Sequence, residues 1–202
     1  MMVNGSIPDY IDGYGRIKPF RFQTSNATPS KLMPGLRAAI EAAGLKDGGT
    51  ISFHHHLRNG DFVINMVLAE IAAMGIHDIT VAASSLFPAH APMVDHMREG
   101  VVTAIHSAYI AGPVAQAVSR GQLPVPAVLQ THGGRARAIV SGELKIDVAF
   151  IAAPAADACG NLNGTDGPSA CGTLGYAMVD AAHARCVVAV TDNLVPFPAS
   201  PA

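Results

Sequence analysis

The 202-residue chain has no tryptophan, and aromatic residues make up only 5% of it. Stacking platforms for nucleic-acid bases are therefore not expected. Charge is also scarce. Asp, Glu, Lys and Arg amount to 14%, and the formal net charge is −2, so no basic surplus exists to hold a phosphate backbone. Cysteine is limited to Cys159, Cys171 and Cys186, an odd number without a C-x-x-C pair. That argues against a disulfide framework or a zinc knuckle and points to reduced thiols in the cytoplasm. The opening residues lack a basic stretch followed by an apolar core, so no signal peptide is expected. No apolar run is long enough to span a bilayer. Neither a nucleic acid nor a membrane is an expected partner.

What the chain does have is apolar bulk. Half of its residues are hydrophobic. Such a composition suits a sheet covered on both faces by helices. The length fits one α/β domain, expected over 30–194. An irregular extension over 1–29 precedes it, and a Pro-rich tail or truncation point over 195–202 follows.

Strands and helices alternate along that domain. Strands are predicted over 50–56, 78–83, 101–105, 127–130, 146–152 and 185–191. Helices are predicted over 30–44, 61–74, 92–99, 113–120 and 135–141. Asn59 or Asp61 would cap the second helix, and Gly44 and Gly75 would stop the first two. This order predicts a mainly parallel sheet with right-handed crossovers. Ligands of such sheets bind beyond the carboxyl ends of the strands, which directs attention to the loops starting there.

Four segments at those ends carry candidate chemistry. The first is His54-His55-His56-Leu57-Arg58-Asn59-Gly60-Asp61, where a strand hands over to a helix. Helix-start N–H groups and the planar fork of Arg58 suit a carboxylate or phosphate, and imidazoles can orient a substrate or move protons. Zinc is the weaker reading. His54 and His56 share a strand face, but His90, His106, His132 and Asp157 stand at no ligand spacing from them. The second segment is Gln130 to Arg137, with His132, Gly133 and Gly134 before two arginines, which suits an anion or merely a tight turn. The third, after the most apolar strand, holds Asp157, Cys159 and Asn161, as a functional loop or an ordinary turn. The fourth is Ser84-Ser85, without the G-x-S-x-G elbow of a serine hydrolase. Substrate-binding candidates are therefore His54, His55, His56, Arg58, Asn59, Ser84, Ser85, His132, Gly133, Asp157 and Asn161, with no metal.

Four stretches carry a family resemblance. They are Ile7 to Phe20 (IPDYIDGYGRIKPF), Lys46 to Asp61 (KDGGTISFHHHLRNGD), Ile146 to Asn161 (IDVAFIAAPAADACGN) and Cys171 to Asp180 (CGTLGYAMVD). Together they resemble the amino-terminal half of the citrate lyase alpha chains, within the family I coenzyme A transferases. The resemblance implies a coenzyme A transferase-like α/β half. It implies exchange of acetyl for citrate on an acyl-carrier-protein thioester, giving citryl-carrier and acetate on the way to oxaloacetate. The implied partners are the beta chain, the acyl carrier gamma chain, a second half of the alpha chain, citrate and acetate, in an oligomer. No cofactor is bound permanently; the phosphopantetheine-type thioester arrives on the carrier as substrate. In the wider family a glutamate of the second half attacks the thioester. Glu41, Glu70, Glu99 and Glu143 do not match its context, so no catalytic residue is assigned and the chain alone is expected to lack full transferase activity. The contrasting reading is a stand-alone binder of a small anion or sugar phosphate. A half-domain that only completes an assembly, and a zinc hydrolase, are further classes.

Overall fold

A computed structural model describes residues 30–54 and 62–197. Helix α1 (Leu36–Ala43) follows the i, i+3, i+4, i+7 spacing of Leu36, Ala39, Ile40 and Ala43, and the last three are buried. Gly44 ends it at φ 64°, a left-handed backbone that a Cβ disfavours. Strand β1 (Thr50–His54) leads to α2 (Val63–Ala73) and β2 (Ile79–Ala83). Then come α3 (Met93–Arg98), β3 (Val102–Ser107), α4 (Gly112–Ser119) and the short β4 (Val128–Leu129). Helix α5 (His132–Val140), β5 (Val148–Ala152), β6 (Ala155–Asp157) and β7 (Leu162–Asn163) follow. The chain continues through α6 (Ala177–His183), β8 (Cys186–Val190) and β9 (Leu194–Val195). Among the described residues no helix is long and apolar enough to cross a membrane.

Six strands form one sheet in the order β4-β3-β2-β1-β5-β8, and every pair in it is parallel. The fold is therefore the expected α/β arrangement with a mainly parallel sheet. From β1 the chain steps outward to β4, then returns to the other side of β1 for β5 and β8. The reversal falls between β1 and β5, where an open parallel sheet leaves a crevice at its carboxyl edge. Strand β6 leaves the end of β5, and β9 leaves the turn after β8; with β7 they make a small second sheet, β7-β6-β9.

The two faces of the large sheet differ in kind. One carries Ile51, Phe53, Val81, Ile105 and Phe150, packed with Ile40 of α1, Leu68 of α2, Met93 of α3 and Val114 of α4. Phe53 and Phe150 stack across β1 and β5 with centroids 5.6 Å apart. The other carries Ala82, Ala149 and Ile151 under Ala138 and Ile139 of α5 and Ala177 of α6. Ser52 joins this face, because it stands in register with both Ala82 and Ala149. Small side chains there leave space that large ones fill on the opposite face.

The structure departs from the sequence reading in several places, beginning with α1, which starts at Leu36 rather than at Ser30. Helix α6 and the small sheet were not foreseen, and α5 begins at His132 rather than at Arg135. Thr131 explains the early start: its hydroxyl accepts from the Gly134 N–H at 3.0 Å and caps the helix. The glycine pair is thus inside the first turn. Val195, assigned to the tail, pairs with Asp157 in the small sheet.

Phe150 is almost fully buried and links β1 to β5. Phe150→Ala should lower unfolding free energy by about 3–5 kcal/mol, read from urea denaturation.

Candidate functional site

The carboxyl edge of β1 ends at His54, half-buried, beside the point where the strand order reverses. His55, His56, Arg58, Asn59 and the proposed cap Asp61 lie outside the described residues. His54 meets the ring of Tyr176 edge-on, with centroids 6.2 Å apart. The opposite neighbour of Tyr176 is His132, stacked at 5.1 Å and 24°. Two histidines from separate sequence motifs, one on β1 and one opening α5, are therefore brought together by a tyrosine just before α6. Tyr176 was not among the candidates. Its signal was its place in the Cys171 to Asp180 stretch, in a chain with only four tyrosines.

One helical turn further along, the same two helices are joined by a buried ion pair. Arg135 is 1% exposed and Asp180 is fully buried. Arg135 Nη1 and Nη2 each donate to a separate Asp180 oxygen at 2.8 Å, and Nη2 also donates to the Ala82 carbonyl at 2.9 Å. Arg135 follows His132 by three residues, and Asp180 follows Tyr176 by four. These offsets keep each pair on one helix face, so the ion pair fixes the spacing of the His132–Tyr176 stack. The bidentate geometry adds direction to the attraction.

His106 stands beside Ala82 in the register of β2 and β3. Burial, reinforced by the positive charge of Arg135, pushes its imidazole below the ordinary histidine range. It is accordingly uncharged near neutral pH. Ser84 is buried at the end of β2, where its N–H donates to the Phe53 carbonyl at 3.2 Å. Ser85 turns its hydroxyl back to the Ser84 carbonyl at 2.8 Å. Among the described residues, Ser52 Oγ, Ser84 Oγ, His106 Nδ1, Gln130 Oε1 and Arg135 Nε are buried without a hydrogen-bond partner.

The remaining candidates have other surroundings. Gly133 lies in the first turn of α5. Arg137 faces solvent and pairs with Glu143 through contacts of 2.6 and 2.7 Å. The two arginines of the second motif are thus both held by carboxylates. Asp157 accepts from the Cys159 and Asn161 N–H groups at 2.9 and 3.1 Å and from Asn161 Nδ2 at 2.8 Å. These contacts fold the loop after β6 around the Asp157 carboxylate. Cys159, Cys171 and Cys186 are free thiols. Among the described residues no three His, Cys, Asp or Glu side chains gather into a metal-holding group. The edge thus offers rings and uncharged hydrogen-bonding groups around a cation already neutralised by Asp180.

Residues 29–202 match the family model described as "Citrate lyase, alpha subunit". The chain is 49% identical over 181 residues to the citrate lyase alpha chain of Escherichia coli K12, covering 90% of this chain and 36% of that one. It is 44% identical over 202 residues to the Klebsiella pneumoniae alpha chain, covering all of this chain and 39% of the relative. The chain therefore spans somewhat more than a third of the length of these curated relatives. Among solved structures, a Streptococcus mutans citrate lyase alpha subunit, described as a complex with citrate, superposes with a TM-score of 0.84 at 46% identity. That match covers 98% of this chain and 41% of the other. An acyl-CoA transferase of Escherichia coli O157:H7 shares the fold at a TM-score of 0.57 and 10% identity, over 82% of this chain and 43% of that one.

Asp180→Leu strands a buried guanidinium and should cost about 3–5 kcal/mol of stability, whereas Arg135→Met with Asp180→Leu should recover most of that loss. Thermal or urea unfolding of the three proteins checks this. The His106 ring should titrate below the usual value of about 6.5 by NMR, and the double replacement should move it partly upward. The unfolded chain binds this proton more readily than the folded one. The neutral ring's contribution to stability is therefore present above about 6.5 and is lost as pH falls through the folded value.

Proposed function

The chain belongs to the citrate lyase alpha-subunit family, and on that premise we propose that it holds the acyl substrate for exchange of acetyl for citrate on an acyl-carrier thioester. The observation that carries this reading is the meeting of His54, His132 and Tyr176 at the carboxyl edge beside the β1–β5 reversal. The Streptococcus mutans neighbour, described as a citrate complex, supplies the ligand to test. Citrate carries three carboxylates. The Arg135 charge is taken by Asp180, so the anion's main cationic partner in this reading is Arg58, and the imidazoles of His54, His55 and His56 are its further proposed contacts.

The chemistry divides accordingly. This chain binds and orients the citrate or acetyl group. The attack on the thioester falls to a glutamate elsewhere in the family's longer chain. Glu41 sits near the end of α1, Glu70 pairs with Arg37, Glu99 precedes β3 and Glu143 pairs with Arg137. All four belong to helices or to the amino-edge side of the sheet, away from the substrate edge. Residues 30–194 act as one transferase-like unit. The beta chain and the acyl carrier gamma chain are its partners, and the carrier brings the phosphopantetheine-type thioester.

Calorimetry with citrate should show binding to the chain, and Arg58→Ala should weaken it roughly ten- to a hundredfold, the scale of a lost charge-assisted contact. In the assembled enzyme the same change should reduce the use of citrate more than that of acetate. Equal loss for both would contradict the assignment, as would a sugar phosphate that binds more tightly than citrate. The isolated chain should not exchange acetyl for citrate on a loaded carrier; turnover by it would place the nucleophile here.

A further inference from the structure

The buried polar atoms behind the substrate edge share one property: they present no unspent charge. Ser52, Ala82 and His106 lie side by side on β1, β2 and β3, on the face covered by α5 and α6. Ser84 is the next inward-alternating residue after Ala82 along β2, and His54 is the next after Ser52 along β1. Gln130 is tied to this edge through its N–H, which donates to the Ser107 carbonyl at 3.0 Å. Ser52 is fully buried, Ser84 is 2% exposed and Arg135 is 1% exposed. Each has a polar atom without a partner among the described residues. Leaving such groups unpaired is costly, and natural interiors satisfy them. Arg135, the one cation here, is matched by Asp180. Among the described residues no other cation stands beside these atoms to balance a carboxylate entering this corner. A neutral hydroxyl, which donates one hydrogen bond and accepts two, can pair with some of these groups without adding charge.

Resting on the proposed citrate site, we propose that Ser84 and His106 are specificity residues that read the uncharged hydroxyl of a hydroxy-tricarboxylic acyl substrate, while the carboxylates are held elsewhere at the edge. The other source of the same chemistry is an amide of the carrier's pantetheine arm, and the test separates the two.

The test is calorimetric titration of the chain with citrate, with propane-1,2,3-tricarboxylate, which lacks only the hydroxyl, and with pantetheine. Citrate should bind roughly ten- to a hundredfold more tightly than the deoxy analogue, as for a site whose buried polar groups are left unpaired by the wrong ligand. Ser84→Ala should bring the two affinities to within about threefold by weakening citrate alone, without lowering the melting temperature, because a buried hydroxyl lacking a partner is removed. His106→Gln, which keeps an uncharged hydrogen-bonding group, should retain more of the preference than His106→Leu. A merely structural role for His106 would not sort these variants by hydrogen-bonding capacity. Equal affinity of the unaltered chain for both acids overturns this assignment and leaves the citrate site standing. Absence of binding by either acid overturns the citrate site and this assignment with it. Pantetheine binding that is lost in Ser84→Ala, with the citrate preference unchanged, assigns the corner to the carrier arm instead.

Discussion

Arg135 and Asp180 bury opposite charges between two helices and a sheet edge, and the arrangement around the candidate site depends on them. The pair touches three elements at once, α5, α6 and the end of β2. Burying two ions is expensive, and a well-packed apolar pair could replace them at little loss of stability. What an apolar pair could not supply is direction. The guanidinium plane fixes the rotation of α5 against α6, and that rotation sets His132 against Tyr176. Burial lowers the His106 pKa, and the Arg135 charge adds to that effect. One interaction thus sets the geometry of the edge and contributes to the charge state of His106.

The unequal faces of the sheet make room for that pair. Phe53, Phe150 and large aliphatic side chains pack under α1 to α4 and provide most of the core. On the face under α5 and α6, Ser52, Ala82 and Ala149 stand beside Ile151, and the small side chains there admit a guanidinium and a carboxylate. One face is therefore built for stability and the other for placement of polar groups. The reversal of strand order beside β1 then opens the carboxyl edge where those polar groups end.

Much of the fold was legible in the sequence because its signals were local. Gly44 was read as the stop of the first helix and is its C-cap, and the apolar run from Ile146 to Ala152 was read as a strand that the structure places at Val148–Ala152. Where the reading failed, the cause was nonlocal or ambiguous. The Gly133–Gly134 pair resembled a turn until the Thr131 cap placed it in a helix. Helix α6 is short and follows a Gly-rich stretch, and its stability comes from packing on α5 and β1. Of the site, His54 and His132 were found as motif members, but nothing in the spacing of Arg135 and Asp180, 45 residues apart, announces that they meet. Tyr176 became visible only when β1 and the two helices were assembled, and His106, considered in the sequence only as a metal ligand, found its neighbours when β2 and β3 were paired.

The proposed function takes the carboxyl edge of this α/β unit as the place where an acyl acid is held by imidazoles and uncharged polar groups, beside an Arg135 cation already paired with Asp180. The most direct test follows the histidine rings by two-dimensional NMR while citrate is added to the chain. The account predicts that the His54, His106 and His132 resonances move together and saturate. His77, in the turn before β2, and His183, at the far end of α6, should stay in place. Movement of His77 and His183 without the other three, or no saturable movement at the carboxyl edge, would contradict it.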